Sequence, residues 1–494
     1  MLAYICAMKR RLYVFAIVLL SLRLMPLQAQ AVPADSLEHI CKMLLNYIEN
    51  EQNTSDIPGF EYAGEWPAYI HFRTGFLLLN NPKNGVYDSN CFALAGIQNI
   101  LAGIYLKRPD LIQIPGMLDR SASRLMSFYN NGGFNFWPLL PPGGRMYMFH
   151  KNRSETLVRR PVQYKLYSPF IRKAANVVND NDDTSQGLLA LCLLAKVKNQ
   201  QGFSNDFSIN MSPLLSYWRD TARKSQHWYN IIHFDERESG AFLTWRALEG
   251  PFPSWNIPRL LFNNAMFLFP WSTLYPKAFT PYIPYGCNDV DAVVNANVLS
   301  ALALNGEGKS PGVKESVAFI ENKIKRKKWS RAGIYYPNRY NLHYATMRAY
   351  HAGIQELEPS VDLLISHMKK TIQKNGSFHS RRIVNKNDRT QSSIYALHAL
   401  LSAGSPRERG TADMVHASLR YLISQLRNHN NGMCIEGGVY FSGGTVIRNT
   451  MYWKSDVYSS TLLLDCLLMY QEYFHERETF GKGKSTSSPH DAFD

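Results

Sequence analysis

The strongest constraint on the fold is a strict alternation of two kinds of helical segment along the chain. The first kind is amphipathic, with apolar side chains recurring every three or four positions. It occurs near residues 35–50, 117–129, 212–224, 313–324, 361–372 and 414–426. A helix with one apolar stripe packs that stripe against a core and leaves its opposite side in water. These six segments are therefore predicted to be outer helices.

The second kind of segment is apolar on nearly every side and begins with polar or acidic residues. Such segments begin near residues 88, 184, 291, 341, 389 and 456. A helix that is apolar all round must be buried all round. Because neither kind of helix can cover its own apolar surface, the alternation predicts an all-α fold, an (α/α)6 toroid of six helical hairpins closed into a ring.

A single toroid domain is predicted to span residues 32–474. Within it, residues 225–285 are rich in Pro, Trp and Phe and lack helical periodicity, so they are predicted to form an irregular, lid-like excursion. Residues 475–494 are polar and are expected to be disordered.

The N-terminal segment, residues 1–31, has the features of a secretory signal peptide. Lys9, Arg10 and Arg11 precede an apolar run of 11 residues, and a small-x-small cleavage pattern ends at Ala31. The apolar run is too short to span a bilayer. Cleavage would remove four basic residues and no acidic ones, which lowers the formal net charge from +15 to +11. We therefore expect an exported protein, periplasmic or secreted.

Export and charge together constrain the partners. An exported protein is not expected to bind nucleic acid, whereas a positive net charge favours peripheral contact with an anionic membrane or an anionic polysaccharide. The expected substrate is a small-molecule lipid or a glycan.

Acidic residues are concentrated at the starts of two inner helices. Asp180, Asp182 and Asp183 fall within four positions, and Asp289 and Asp291 precede another helix. Helix capping explains one acid at each start, because one side chain accepts the free N–H groups of the first turn. Carboxyls this close oppose joint ionisation, so one is expected to keep its proton at neutral pH. A protonated carboxyl beside an aromatic cavity is a candidate general acid.

The string DNDDTS (180–185) resembles the D-x-D-D-T motif of class II terpene cyclases of the squalene–hopene cyclase type. The helical alternation is similar to the toroid of the terpenoid cyclase/prenyltransferase superfamily. QKNGSF (373–378) is similar to its glutamine–glycine–tryptophan repeat, with Phe378 in place of Trp. The resemblance implies that Asp182, supported by Asp180 and Asp183, protonates an alkene or epoxide.

The resemblance also implies aromatic walls whose π faces stabilise carbocations. The candidate wall residues are Trp66, Phe136, Trp137, Tyr336, Tyr440 and Trp453. Asp289, Asp291, Arg448 and Asp456 complete the predicted substrate site. The leading hypothesis is therefore cyclisation of an isoprenoid or similar lipid, an isomerase-type reaction with no cofactor and no metal at the proton donor.

Two other kinds of function stay open, an exported glycan-active enzyme (a glycoside hydrolase or a polysaccharide lyase) and a non-catalytic ligand-binding toroid. A glycoside hydrolase needs two carboxyls, about 5 Å apart if it retains the anomeric configuration and about 6.5–9.5 Å apart if it inverts it. The candidates are Asp182 with Asp291, and Asp235 and Glu236 on the excursion. A polysaccharide lyase needs a base beside a group that neutralises charge, and residues 448–454 contain Arg, Asn, Tyr and Lys side chains. In a non-catalytic ligand-binding toroid, the acids would only cap helices.

The export prediction is tested by N-terminal sequencing of the protein from its native host. Cleavage near Ala31 is expected, because the pattern of small residues there suits a signal peptidase. A mature chain that still contains residue 12 would contradict it.

Overall fold

The computed structural model describes residues 31–72, 85–141, 157–162, 175–203, 208–222, 238–247, 281, 283, 288–329, 332–380, 388–444 and 451–476. The predictions for residues 1–30, for most of the excursion at 225–285 and for residues 477–494 lie outside these ranges. Outside them too are the candidate residues Asp235, Glu236, Arg448 and Asn449.

The described residues form twelve α-helices in the predicted order of outer and inner segments. The outer helices are α1 (Ala34–Asn50), α3 (Gln113–Leu125), α5 (Ser212–Ser216), α7 (Val313–Lys325), α9 (Glu358–Thr371) and α11 (Ala412–Ile423). The inner helices are α2 (Cys91–Lys107), α4 (Asn181–Gln200), α6 (Ala292–Leu304), α8 (Tyr340–His351), α10 (Asp388–Ser402) and α12 (Asp456–Gln471). Each inner helix contacts the next, and α12 contacts α2. The ring is closed, which confirms the (α/α)6 toroid.

The two kinds of helix are buried as their patterns predict. Every residue at positions 292–302 of inner helix α6 is buried. Outer helix α9 buries one stripe, which includes Val361, Leu364, Ile365 and Met368. No described helix combines the length and apolarity required to cross a bilayer.

Two outer helices are shorter than predicted. Helix α5 ends at Ser216 instead of continuing to 224, because the backbone that follows pairs with a distant segment. The N–H of Asp220 donates to the carbonyl of Ala241 at 2.8 Å, and the N–H of Leu243 donates to the carbonyl of Trp218 at 2.9 Å. Helix α11 ends at Ile423 because a β-hairpin begins three residues later.

Short strands connect the helix ends at several places. They are β1 (Tyr69–Phe72), β2 (Val86–Tyr87), β3 (Tyr129–Asn130), β4 (Gly133–Phe134), β5 (Leu139–Leu140), β6 (Val158–Arg159), β7 (Leu426–His429), β8 (Gly432–Ile435), β9 (Val439–Ser442) and β10 (Met451–Lys454). An antiparallel sheet has the order β2-β1-β10-β9 and pairs Ile70 with Trp453, so it ties the N-terminal and C-terminal parts of the ring together. Strands of two to four residues are too short to show a recurring pattern of apolar residues. The sequence analysis, which relies on such patterns, therefore does not predict this sheet.

The turn between α9 and α10 provides a stability test of the ring. Gly376 has a φ of +83°, and a Cβ atom there would lie 2.2 Å from the carbonyl oxygen of Ala417 on α11. Gly306 has a similar φ of +76°, but a Cβ atom there would meet nothing within 4 Å. A left-handed conformation costs an L-residue about 1–2 kcal/mol. We expect Gly306→Ala to lower the free energy of unfolding by this amount, and Gly376→Ala by about 3 kcal/mol or more.

Urea denaturation of the two variants measures the difference. Equal losses of stability would show that the backbone of α11 moves away from residue 376 at little cost, contrary to the tight packing described above.

Candidate active site

The acid cluster lies at the start of inner helix α4, where its three carboxyls have different partners. Asp180 is the N-cap, and its Oδ1 accepts the N–H of Asp183 at 2.7 Å. Asp182 faces two other elements: its Oδ1 accepts the Nδ2–H of Asn297 at 2.8 Å, and its Oδ2 accepts the hydroxyl of Tyr336. Capping therefore accounts for Asp180, while Asp182 is bonded to side chains from elsewhere in the ring.

Burial raises the pKa of all three carboxyls, because the ionised form loses its water. The pKa of Asp180 rises to about 7, first through burial and then through the charge of Asp182. The pKa of Asp183 rises well above its usual value through burial and the charges of Asp180 and Asp182. Burial also raises the pKa of Asp182, although the hydrogen bonds from Tyr336 and Asn297 oppose the rise. The cluster therefore holds at least one proton near neutral pH.

A small, only partly enclosed cavity lies inside the ring next to this cluster. Five inner helices and the loop before α8 contribute to its walls. Its aromatic wall residues are Phe92, Tyr336, Tyr344 and Tyr458, and its polar ones are Gln186, Asn297, Asn341 and Arg348. Tyr336 and Asn297 both hold the Asp182 carboxyl, so this carboxyl lies one hydrogen bond behind the cavity wall.

Five of the six predicted aromatic residues meet in one cluster beside the cavity, where Trp137 lies 5.0 Å from Phe136 and 6.0 Å from Trp453 between ring centroids. Phe441 is at its centre, with ring centroids 4.9 Å from Phe136, 5.4 Å from Trp453 and 5.8 Å from Tyr336. Tyr440 stacks on Phe92 with a centroid distance of 5.6 Å. Phe441 directly follows Tyr440 in the turn GGVYF, which is the sequence signal for it.

Trp66 is buried in a different setting. Its indole Nε1–H donates to the carbonyl of Ile48 on outer helix α1 at 2.9 Å. It therefore anchors the segment before β1 to the outer ring.

Asp88 is a further buried acid, and it lies outside both acid clusters that the sequence analysis identified. The indole Nε1–H of Trp137 donates to its Oδ1 at 3.0 Å, and that of Trp453 donates to its Oδ2 at 2.7 Å. Burial raises the pKa of Asp88 to about 7, although these two donors oppose the rise. Because the donors lie 49 and 365 positions away in the chain, no local motif contains this site.

Three further predicted acids mainly hold structure. Asp291 caps α6: its Oδ1 accepts the N–H groups of Val293 and Val294, and its Oδ2 accepts those of Ile334 and Tyr335. The hydroxyl of Tyr335 also donates to Asp289 at 2.9 Å. Asp456 accepts the N–H of Gly437 at 2.8 Å.

No protein-family model matches the chain, and no curated protein matches it by sequence. Solved structures do match its fold. One is a variant of the type II terpene cyclase MstE from Scytonema in complex with its substrate geranylgeranyl dihydroxybenzoate. Its sequence is 11% identical to this one, the match covers 89% of this chain and 99% of that chain, and the TM-score is 0.50. A second variant of MstE with the same substrate is 10% identical, with coverages of 89% and 98% and a TM-score of 0.50. Cellobiose 2-epimerase from Spirochaeta thermophila is 12% identical, with coverages of 89% and 98% and a TM-score of 0.43.

The MstE matches extend over almost the whole length of both chains, at identities that indicate a shared fold. The chain has the terpene cyclase-like toroid fold. In this terpene cyclase-like toroid, the motif at 180–185 begins an inner helix beside the central cavity, as the resemblance implies.

The carboxyl of Asp88 is expected to make the stability of the toroid depend on pH. Its pKa is about 7 in the folded protein and about 3.9 in an unfolded chain, so the folded state binds the proton more tightly. Its contribution to the free energy of unfolding is therefore full below about pH 4 and is lost as the pH rises to about 7. Asp88→Asn should make this fall in stability smaller.

Urea denaturation at several pH values measures the effect. Some fall should remain, because burial also raises the pKa values of Asp180 and Asp291 to about 7. Asp362→Asn, at an exposed carboxyl on α9, is the control and should keep the full pH dependence. An unchanged profile for Asp88→Asn would contradict the assignment.

Proposed function

We propose that the protein is a class II terpene cyclase-like enzyme that starts the cyclisation of an isoprenoid or similar lipid by protonating it, with Asp182 as the general acid. The observation that carries this proposal is a buried carboxyl, held by Tyr336 and Asn297, one hydrogen bond behind the wall of a cavity that is lined in part by aromatic rings. Burial raises the pKa of this carboxyl, and the protonated form is the one that donates a proton.

Asp182 is chosen among the three acids because of its neighbours. Asp180 is occupied as the N-cap of α4, whereas both partners of Asp182 line the cavity. Transfer of its proton to one carbon of an alkene forms a C–H bond from the π electrons and leaves a carbocation on the other carbon. Asp180 and Asp183 raise the proton affinity of the cluster through their proximity.

The aromatic walls support the second part of the reaction. Phe92, Tyr336, Tyr344 and Tyr458 line the cavity, and the π faces of such rings attract cations. A cavity inside the ring also limits the access of water, which would otherwise capture a carbocation before ring closure.

The partners of Asp291 favour cyclisation over glycoside hydrolysis. A hydrolase would need a second carboxyl across the cavity from Asp182. Among the described residues, Asp291 is the acid that the sequence analysis predicts for this role. Its two carboxylate oxygens already accept hydrogen bonds from four backbone N–H groups. The proposal includes export of the mature protein, so we expect its lipid substrate to be available outside the cytoplasm.

Asp182→Asn tests the proposal, because it preserves size and removes the proton donor. General acid catalysis contributes about 10²–10⁴-fold, so we expect kcat to fall by this factor while the Tm stays unchanged. The matched control is Asp388→Asn, which changes another buried acid at the start of an inner helix and should retain activity.

The substrates to be tested are squalene, polyprenyl diphosphates, and acidic and neutral glycans, with products identified by mass spectrometry. Release of reducing ends without a cyclised lipid would overturn the proposal in favour of a glycan enzyme. Full activity in Asp182→Asn would reduce this residue to a structural role.

A further inference from the structure

Cations are concentrated on one surface at the end of the ring where the inner helices begin and the outer helices end, here called the upper end. Residues 321–329 at the end of α7 and residues 365–376 at the end of α9 together contain eight lysines and arginines and one acidic residue. That acid, Glu321, pairs with Lys325 at 2.8 Å. Residues 326–328, 369, 370 and 374 form the basic surface, and all of them except the half-buried Lys328 are exposed.

Trp329 joins the two parts of the basic surface. Its indole ring stacks on the imidazole of His367 in α9, with a centroid distance of 4.5 Å and an interplanar angle of 20°. His367 is held to inner helix α8, because its Nδ1 lies 2.9 Å from the Nε2 of His343. The pKa of His367 is lowered to about 4, first by burial and then by the charges of Arg339 and Lys370. Cations from α8 and α9 therefore lie close to the segment that ends α7.

Helix stability accounts for only part of this concentration of charge. Cations in the last turn of a helix interact favourably with its dipole, which explains Lys323 and Lys325 in α7. Residues 326–328 follow that turn. Lys327 has a left-handed φ of +55°, at the position after a helix end where glycine is usual. A lysine in this conformation is unfavourable for the fold, which indicates a use for its charge at the surface.

Exposed apolar side chains lie at the same end of the ring. Among the described residues, ten large apolar side chains are exposed, and six of them lie in the segments that connect outer helices to inner helices at the upper end. Single exposed apolar residues are normal on a protein surface, but these six share one end with the basic surface. They are Ile57, Phe60, Tyr69, Met126, Tyr129 and Leu157, each exposed by 36–49%.

We infer that the upper end of the toroid docks on an anionic lipid bilayer, with the basic surface against the headgroups. Each lysine or arginine close to a negatively charged membrane strengthens binding about fivefold. Trp329 is partly exposed between these cations, and an indole suits the headgroup region because one part is apolar and its N–H is polar. An anionic polysaccharide would match the charge, but it would leave the six exposed apolar side chains unexplained.

This docking goes beyond the proposed function and has a consequence for it. The acid cluster lies at the start of α4, which is also at the upper end. A toroid docked in this way turns that end towards the bilayer, which is the source of a lipid substrate.

Vesicle binding tests the inference. The protein is purified from its native host and sedimented with vesicles of phosphatidylcholine alone, or of phosphatidylcholine mixed with phosphatidylglycerol. In about 0.1 M salt, we expect binding to the anionic vesicles to be at least about 100-fold tighter. This preference should vanish in about 1 M salt, where the Debye length falls to about 3 Å. Equal binding to both kinds of vesicle would overturn the inference.

Two triple variants show which end of the ring makes the contact. Replacing residues 326–328 by glutamine should weaken binding to anionic vesicles about 100-fold, because three cations are lost, with the Tm nearly unchanged. The matched control removes the same charge at the opposite end, by changing Lys107, Arg108 and Lys198 to glutamine. Those residues lie at the far ends of α2 and α4, and the 20 residues of α4 span about 30 Å, which exceeds the Debye length of about 10 Å.

The control should bind the anionic vesicles within about twofold of the unaltered protein. Equal losses in the two triple variants would show that net charge alone drives binding and would refute the docking surface. Binding to the anionic polysaccharide alginate without binding to vesicles would overturn the inference in favour of a polysaccharide surface. The cyclase assay with Asp182→Asn is independent of these measurements, so failure of the proposed reaction and failure of the docking surface are distinguishable.

Discussion

The inner helices of this protein are apolar all round and can be buried only by packing against one another, which requires that they close into a ring. That closure places the start of α4, the middle of α6 and the body of α8 around one cavity. Small residues permit the close approach: a Cβ atom on Gly187 would lie 2.6 Å from the ring of Phe134, and one on Gly96 would lie 3.1 Å from the ring of Tyr458. Every feature of the candidate site depends on this packing.

Closing the ring also buries polar groups, which must then find partners inside the protein. Asn295 on α6 shows the usual solution, since its side chain bonds both the N–H and the carbonyl of Phe242 and accepts the hydroxyl of Ser316. The buried carboxylate of Glu65 likewise accepts bonds from Arg124, Tyr87 and Ser89.

The same burial determines the chemistry of the acids. Water stabilises an ionised carboxylate strongly, so burial raises the pKa of both Asp182 and Asp291, and the hydrogen bonds that each carboxyl accepts oppose the rise. Asp291 receives four backbone N–H groups and acts as a cap, whereas Asp182 receives one hydroxyl and one amide from residues that line a cavity. Residues of one chemical type thus differ in role because of what the ring packs against them.

The sequence by itself determined the twelve helices, their alternation and the acid cluster at the start of α4, because helical periodicity and N-terminal acids are local properties that a short window of residues contains. It did not reveal the sheet that joins β1 to β10, the two tryptophans at Asp88, or the hydrogen bonds that Arg348 donates to Gln186 and Asn297. Those contacts join residues tens to hundreds of positions apart, and no local pattern encodes which of them meet. Only the tertiary structure decided them, since closure of the ring sets which side chains share the interior.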